Sequence, residues 1–379
     1  MNNSSTHNKS KALIIQEKGN DYNLESCEQT TTNFHDLDIR ISDIIKTLPA
    51  ECFNKNEFLA WFLAFSNILV VVLGFYGLAI LPWYFLPVTW VITGTGLAGF
   101  FTLAHDCGHY AFSGKRWVND FVGHLVMLPL LYPFYSWCIE HNCHHTRTNK
   151  IGSPGWRQIH EYLNGKTDPN WQPFRKEVFN LMKPRDRLIY SLRSGYFWWI
   201  GTIINWWYQI TLDVKKIPLK DQKKVKFSRS IVLIFILPFF TTLIFTVGFW
   251  GVVKFWLVPW LIYHFWFSTF TLIHHTSPET EWKVDSQWNA VRANLCGTIH
   301  CDYPWWVEFL CHDINYHVPH HISPAIPFYN LRMAHCSLQE NWNPYLRECK
   351  FSWSLIKQII SKCHLYDSDQ ECYISFKEL

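Results

Sequence analysis

Charge is scarce in this chain of 379 residues: Asp, Glu, Lys and Arg make up 17% of it, against ~25% in ordinary soluble domains. A net charge of only +4, with no long basic stripe and no RRM, zinc-finger or helix-turn-helix pattern, excludes a nucleic-acid binder. The 12 cysteines form no regular framework and are too dilute for a secreted disulfide scaffold, so reduced thiols in a cytoplasm-like compartment are expected. Internal repeats and low-complexity tracts are lacking too. Residues 1–46 have no apolar core of a secretory signal, and they carry Glu17, Asp21, Glu25 and Glu28, where a chloroplast transit peptide is rich in Arg and poor in acid. That stretch reads as a mostly disordered cytosolic tail, with a mild helix over 36–47.

Apolar and aromatic residues are abundant, at 49% and 18%, with 21 tryptophans. Tryptophan and tyrosine gather where an apolar body meets a wet edge, as at bilayer interfaces. Four apolar blocks, at about 58–81, 84–104, 230–250 and 251–272, each approach the ~20 residues that cross hydrocarbon as a helix. They pair into two hairpins with almost no connecting loop. Two further stretches read as interfacial: 118–137, which holds His124, Pro129 and Pro133, and the aromatic 196–210. The basic residues, including the run Lys215, Lys216, Lys220, Lys223, Lys224 and Lys226, avoid both hairpin turns apart from Lys254. The positive-inside rule then puts both termini and the polar regions 141–227 and 274–379 on the cytosolic side. The expected architecture is an all-α integral membrane protein, with four transmembrane helices in two hairpins under a cytosolic helical cap.

Nineteen histidines are about twice ordinary usage, and they cluster. His105 and His109 stand four apart; His141, His144 and His145 form a second group; His317, His320 and His321 form a third. Residues three and four apart share a helix face, so each group can reach one metal or two adjacent ones. Eight imidazoles exceed the four ligands of a tetrahedral zinc and the one or two axial ligands of a haem. Divided between two metals they give about four nitrogens each, with positions left open. The groups fall at or just beyond apolar blocks, on the predicted cytosolic face. Pro319 is tolerated in a first turn, so the third group is expected to open a helix. Cys143, within the second group, should point away from the ligand face. His124 and His264, lone histidines in apolar surroundings, read as packing residues.

At these residues the chain resembles the membrane fatty-acid desaturases, whose signature is three histidine boxes. The stretches LAHDCGHYAFS (103–113), LPLLYPFYSW (128–137), LIHHTSPE (272–279) and GTIHCDYPWWVEFLCHDINYHVPHHISPAIPFYNLR (297–332) are similar to the acyl-lipid Δ12, or ω-6, desaturases of cyanobacteria and chloroplasts. The resemblance covers about residue 43 to the C-terminus. It implies two iron ions held by His105, His109, His141, His144, His145, His317, His320 and His321, and a ninth ligand at His275 with His274 as contender. It further implies O2 as co-substrate, oleoyl-to-linoleoyl conversion on a membrane glycerolipid, and reduced ferredoxin as electron donor. A cyanobacterial-type plasma or thylakoid membrane is the expected location.

Removing hydrogens from an unactivated methylene needs an oxidant that no side chain provides; a bound metal with O2 provides it, and the protein supplies orientation. An all-histidine shell wants acids on its outer N–H groups, for which Asp106, Glu140, Asp302 and Asp313 lie nearest in sequence, although each also reads as an ordinary solvated or capping acid. Phe100, Phe101, Phe267 and Phe270 are placed to line an acyl tunnel, or simply to pack. There is no His-Pro-Gly-Gly haem motif and no ferredoxin-like cysteine spacing, so electrons must come from a separate donor. Read from residues alone, a hydroxylase, epoxygenase or carotenoid-modifying oxygenase of the same superfamily remains open. An intramembrane zinc protease would want Glu where Asp106 stands and has no use for the other boxes. A metal transporter would place histidines inside the apolar blocks, not at their ends.

Overall fold

A computed structural model of the chain describes residues 39–211 and 213–379; the part of the tail reading that concerns 1–38 lies outside these. A short helix α1 (Ile41–Ile45) leads to α2 (Glu57–Ile80), whose first turn is capped by the Asn56 side chain accepting from the Leu59 amide. Glu57 accepts from the Ser113 hydroxyl at 2.8 Å, which ties the start of α2 to the end of α3 (Leu86–Gly108). Pro82 and a single 3-10 turn connect these two helices. The block read at 58–81 is therefore α2, and the block at 84–104 falls within the run Trp83–Gly108.

The stretch read as one segment, 118–137, is two helices, α4 (Arg116–Met127) and α5 (Phe134–Arg147). Pro129 and Pro133 cannot continue a helix, and Leu131 takes a φ of 56° between them. Next come α6 (Arg157–Leu163), strand β1 (Phe174–Arg175), α7 (Lys176–Leu181), α8 (Pro184–Ser194) and the aromatic α9 (Gly201–Thr211).

The blocks read at 230–250 and 251–272 belong to one helical run, Leu219–His275, of 57 residues. Straight, it would be roughly 85 Å long, nearly three times a hydrocarbon core. It is not straight. Helix α10 (Leu219–Val252) breaks at Gly248, where φ is 68° and ψ is −177°, a conformation that glycine adopts readily and L-residues avoid. A π-helical turn (Val253–Leu257) then leads into α11 (Val258–His275). Phe240 and Trp256, eight residues either side of the break, bring their ring centroids to 4.7 Å, so the two arms turn towards each other.

Helices α3 and α11 form the centre. The Trp266 indole donates to the Thr95 hydroxyl at 2.9 Å, and Phe101 lies on Phe267 at 3.8 Å between centroids. Gly99 sits so close to a neighbour that a Cβ there would meet the Leu310 carbonyl at 2.1 Å. Among the described residues three helical runs are long and apolar enough to cross a membrane.

The remaining chain comprises strand β2 (Ile299–Asp302), α12 (Trp305–Leu310), α13 (His317–Ile322), α14 (Leu331–Trp342), β3 (Arg347–Lys350), α15 (Trp353–Lys362), β4 (Leu365–Asp367) and β5 (Cys372–Ile374). The all-α expectation needs correction here. β2 pairs in parallel with β3, and β1 pairs in parallel with β4, which pairs antiparallel with β5. The strands are two to four residues long, too short to show an alternation; the two parallel pairs join segments far apart in sequence, and β4 and β5 form a local hairpin.

Candidate metal centre

Helix geometry delivers the boxes to one place. His105 lies in the last turn of α3 and His109 caps it; His141, His144 and His145 line the last two turns of α5; His274 and His275 end α11; His317 opens α13, with Pro319 in its first turn. Four helix ends from separate parts of the chain thus converge.

The nitrogens fall into two groups. In the first, His105, His109, His141, His145 and His320 bring ligand atoms within 4.8 Å of one another. His141 Nε2 is 2.9 Å from His105 Nε2 and 3.0 Å from His145 Nε2, which is 2.9 Å from His320 Nε2. In the second, His144, His275 and His321 gather. His317 joins them, its Nε2 2.8 Å from that of His275 and 3.0 Å from that of His321. The two groups touch through the His145 and His321 rings, 4.3 Å apart. His275 enters the second group, whereas His274 turns to the Tyr303 hydroxyl at 3.4 Å and stacks on His317.

Whether this set suits a cation follows from its chemistry. A neutral imidazole carries one N–H and one lone pair, so several Nε2 atoms around one point cannot all satisfy each other. His109 Nε2 is buried with no partner. Burial, and the mutual repulsion of neighbouring imidazoles, hold His141, His145, His317, His320 and His321 well below the ordinary histidine range, which keeps their lone pairs free. Nitrogens at right angles around a cation, at roughly 2.1 Å each, stand roughly 3.0 Å apart. Five of the six close Nε2–Nε2 spacings, at 2.8–3.0 Å, match that edge, and the sixth, His144 to His275, is 3.3 Å. The residues present fit a bound metal.

The outer ring nitrogens correct the expected supports. His144 Nδ1 donates to Asp168 at 2.7 Å, and Asp168 is anchored in turn by the Asn149 and Asn170 amides at 2.8 Å each. His321 Nδ1 meets Asn294 Oδ1 at 3.0 Å and the Thr148 hydroxyl at 3.3 Å. Neither Asp168 nor Asn294 is near a box in sequence, so spacing gave no signal for them. The four acids read as supports bond elsewhere among the described residues. Asp106 accepts from the Phe328 amide at 3.4 Å, Asp302 from His300 at 2.9 Å and Asp313 from Arg332 at 3.0 Å. Glu140 is held by Asn205 and Gln209, and burial pushes its carboxyl up to about 7 against the pull of those two amides. Cys143 turns to Arg147 and the Gly165 carbonyl. The lone histidines are packed: His124 bonds the Asp120 carbonyl and His264 the Thr202 hydroxyl.

Beside the nitrogens runs a narrow slot of about 60 Å³, lined by Phe101, Phe267 and Phe270 and by His105, His141, His144, His275 and His317. Phe100 is buried but does not line it. Its wall mixes apolar rings and imidazoles with the polar side chains of Thr102, Glu140, Asn170, Asn205 and Thr271, so a chain threaded through it would lie against the clustered nitrogens.

Comparison with known proteins agrees with this chemistry. A fatty acid desaturase family model matches residues 81–353. The chain is similar to an sn-1 oleoyl-lipid 12-desaturase of Anabaena variabilis, 50% identical over 334 residues that cover 88% of this chain and 91% of the relative. An sn-1 oleoyl-lipid 12-desaturase of Synechocystis is 48% identical over 88% of this chain and 90% of its own length. A chloroplastic omega-6 fatty acid desaturase of Glycine max is 41% identical over 88% and 75%.

Proposed function

The chain belongs to the fatty acid desaturase family, and from that premise we propose that it introduces a cis Δ12 (ω-6) double bond into an oleoyl chain esterified in a membrane glycerolipid. It is an O2-dependent oxidoreductase of lipid metabolism. The relatives with that printed activity share 46–50% of their residues over most of the chain. The single observation that carries the reading at the site is the convergence of nine imidazoles, five and four, beside an apolar slot.

We take the bound metals to be two irons, held by His105, His109, His141, His145 and His320 on one side and by His144, His275, His317 and His321 on the other. Nitrogen spacings of 2.8–3.0 Å, with one of 3.3 Å between His144 and His275, suit ligands gathered around a metal, and nine imidazoles exceed the four ligands of a tetrahedral zinc. Two irons with O2 supply the oxidant that removes hydrogen from an unactivated methylene. The protein does the rest. Asp168 fixes the His144 ring by accepting from Nδ1, and Asn294 does the same for His321. Phe101, Phe267 and Phe270 confine the acyl chain so that one methylene pair faces the nitrogens. Packed aromatic walls exclude water from the slot.

The helical runs support four crossings in two hairpins, the second turning at Gly248, with both termini on the cytosolic side and the boxes beneath the cap. Electrons come from a separate reduced ferredoxin, an acidic partner suited to the basic cytosolic face. Expression in a host rich in oleate, with fatty-acid profiling of the glycerolipids, tests the assignment: linoleate accumulates with the native chain and not with His144→Ala. A hydroxy or epoxy acid as main product would overturn it. Iron analysis of the purified protein is expected to give about two per chain.

A further inference from the structure

The slot opens into a second, larger cavity of about 670 Å³. The two share Glu140, Pro169, Asn170, Asn205, Phe267 and Thr271, which form a neck. Beyond the neck the character of the wall changes. Arg147 and Arg193 reach it, with Asn164, Asn170 and Gln209. Glu140 is the only acid on this wall, and it is already engaged by Asn205 and Gln209.

Several of these groups are uncommitted among the described residues. Arg193 lies over the Trp171 ring at 5.1 Å, and its buried Nε has no hydrogen-bond partner among them. The Ser136 hydroxyl is buried, has no partner among them either, and lines the cavity. Asn170 bonds Asp168 through its backbone amide, which leaves its side-chain amide to the cavity. A guanidinium can only donate, so the ligand this wall wants presents acceptor oxygens.

We propose that this vestibule seats the ester-linked glycerol portion of an intact glycerolipid, with Arg193 and Arg147 donating to its ester carbonyl oxygens while one acyl chain passes the neck into the slot. The proposal rests on the acyl-lipid reading above and deepens it. Volume agrees: a free carboxylate would leave most of 670 Å³ empty, whereas a glycerol unit with its second ester uses it. Helix α9 lines the cavity through Tyr208 and also carries Trp206 and Trp207, residue types that favour the headgroup level of a bilayer.

The test measures binding to the full-length, iron-loaded protein by native mass spectrometry. The probes are dioleoyl phosphatidylglycerol, its 1,2-diether lacking the carbonyl oxygens, and free oleate. The diester is expected to bind about tenfold more tightly than the diether, as loss of hydrogen bonds to charged donors implies, and more tightly than oleate. Arg193→Gln should bring the diester-to-diether ratio to about twofold or less, and Arg193→Lys should retain part of it. A ratio unchanged in both Arg193→Gln and Arg147→Gln, or oleate binding best, would overturn the proposal. Should either Gln variant fail to fold, a diester with a photoreactive group on its glycerol decides: cross-links to residues 162–171 support the site, and cross-links confined to α2 or α10 sink it. If the native chain makes no dienoic acid yet keeps its ester preference, the desaturase assignment fails and the vestibule stands.

Discussion

Helices α3 and α10 are both apolar enough to enter a bilayer, yet 72% of the apolar window of Trp83–Gly108 is buried in the protein and only 6% of that in Leu219–His275. Hydropathy reports what a helix avoids, and says nothing of what it touches. α3 is rich in glycine and threonine, which admit neighbouring backbones closely, and it ends in His105. α10 shows Leu233, Ile234, Leu237 and Phe245 to its surroundings, a surface that hydrocarbon tails satisfy as well as protein does. The chemistry rides on the helix that is held from all sides, because imidazole positions must be fixed to fractions of an ångström.

Four perturbations sharpen this contrast. The largest effect is expected on the buried side, from His105→Ala at the end of α3: dienoic product should fall by more than the roughly 10–100-fold that loss of a supporting contact costs, measured by fatty-acid profiling. Next, Asp168→Asn should weaken iron retention by roughly 10–100-fold, read as metal content after dialysis against chelator. If it held iron normally, the Nδ1 contact to His144 would be incidental.

Third is packing. Gly99→Ala forces a Cβ against the Leu310 carbonyl and should cost about 1–3 kcal/mol in detergent unfolding, whereas Ile234→Ala on α10, 73% exposed, should stay within about 0.5 kcal/mol. Equal losses at both positions would break the comparison. The last effect is graded. Burial and mutual repulsion depress the box imidazoles in the folded state, and burial holds His312 down to about 3. The unfolded chain therefore binds more protons once the pH drops below about 6.5. The metal-free protein should keep its full stability above that pH and lose it progressively below, as urea unfolding between pH 8 and pH 5 would show. Stability that rose on acidification would contradict the sign.

The sites that sequence revealed are those whose partners lie three or four residues apart on one helix, such as His105 with His109 or His141 with His145. Periodicity reads these directly, and the box resemblance added His275 over His274. What it hid depends on long loops closing. Asp168 supports His144 from 24 residues away, and Asn294 supports His321 from 27, so neighbours such as Asp106 and Glu140 stood nearer in sequence and bond elsewhere in space. The strands were hidden for the same reason: two residues of β1 carry no period. Gly248 was legible only as a glycine in an apolar run, and its turn emerges from the φ it adopts.

Strand β1, at Phe174, finds its partner at Leu365, far along the chain. A ribosome releases that partner long after α2 and α3 have been made. Maturation therefore has a late closing stitch, and a nascent chain stalled before residue 365 would carry every clustered imidazole yet leave that seam undone.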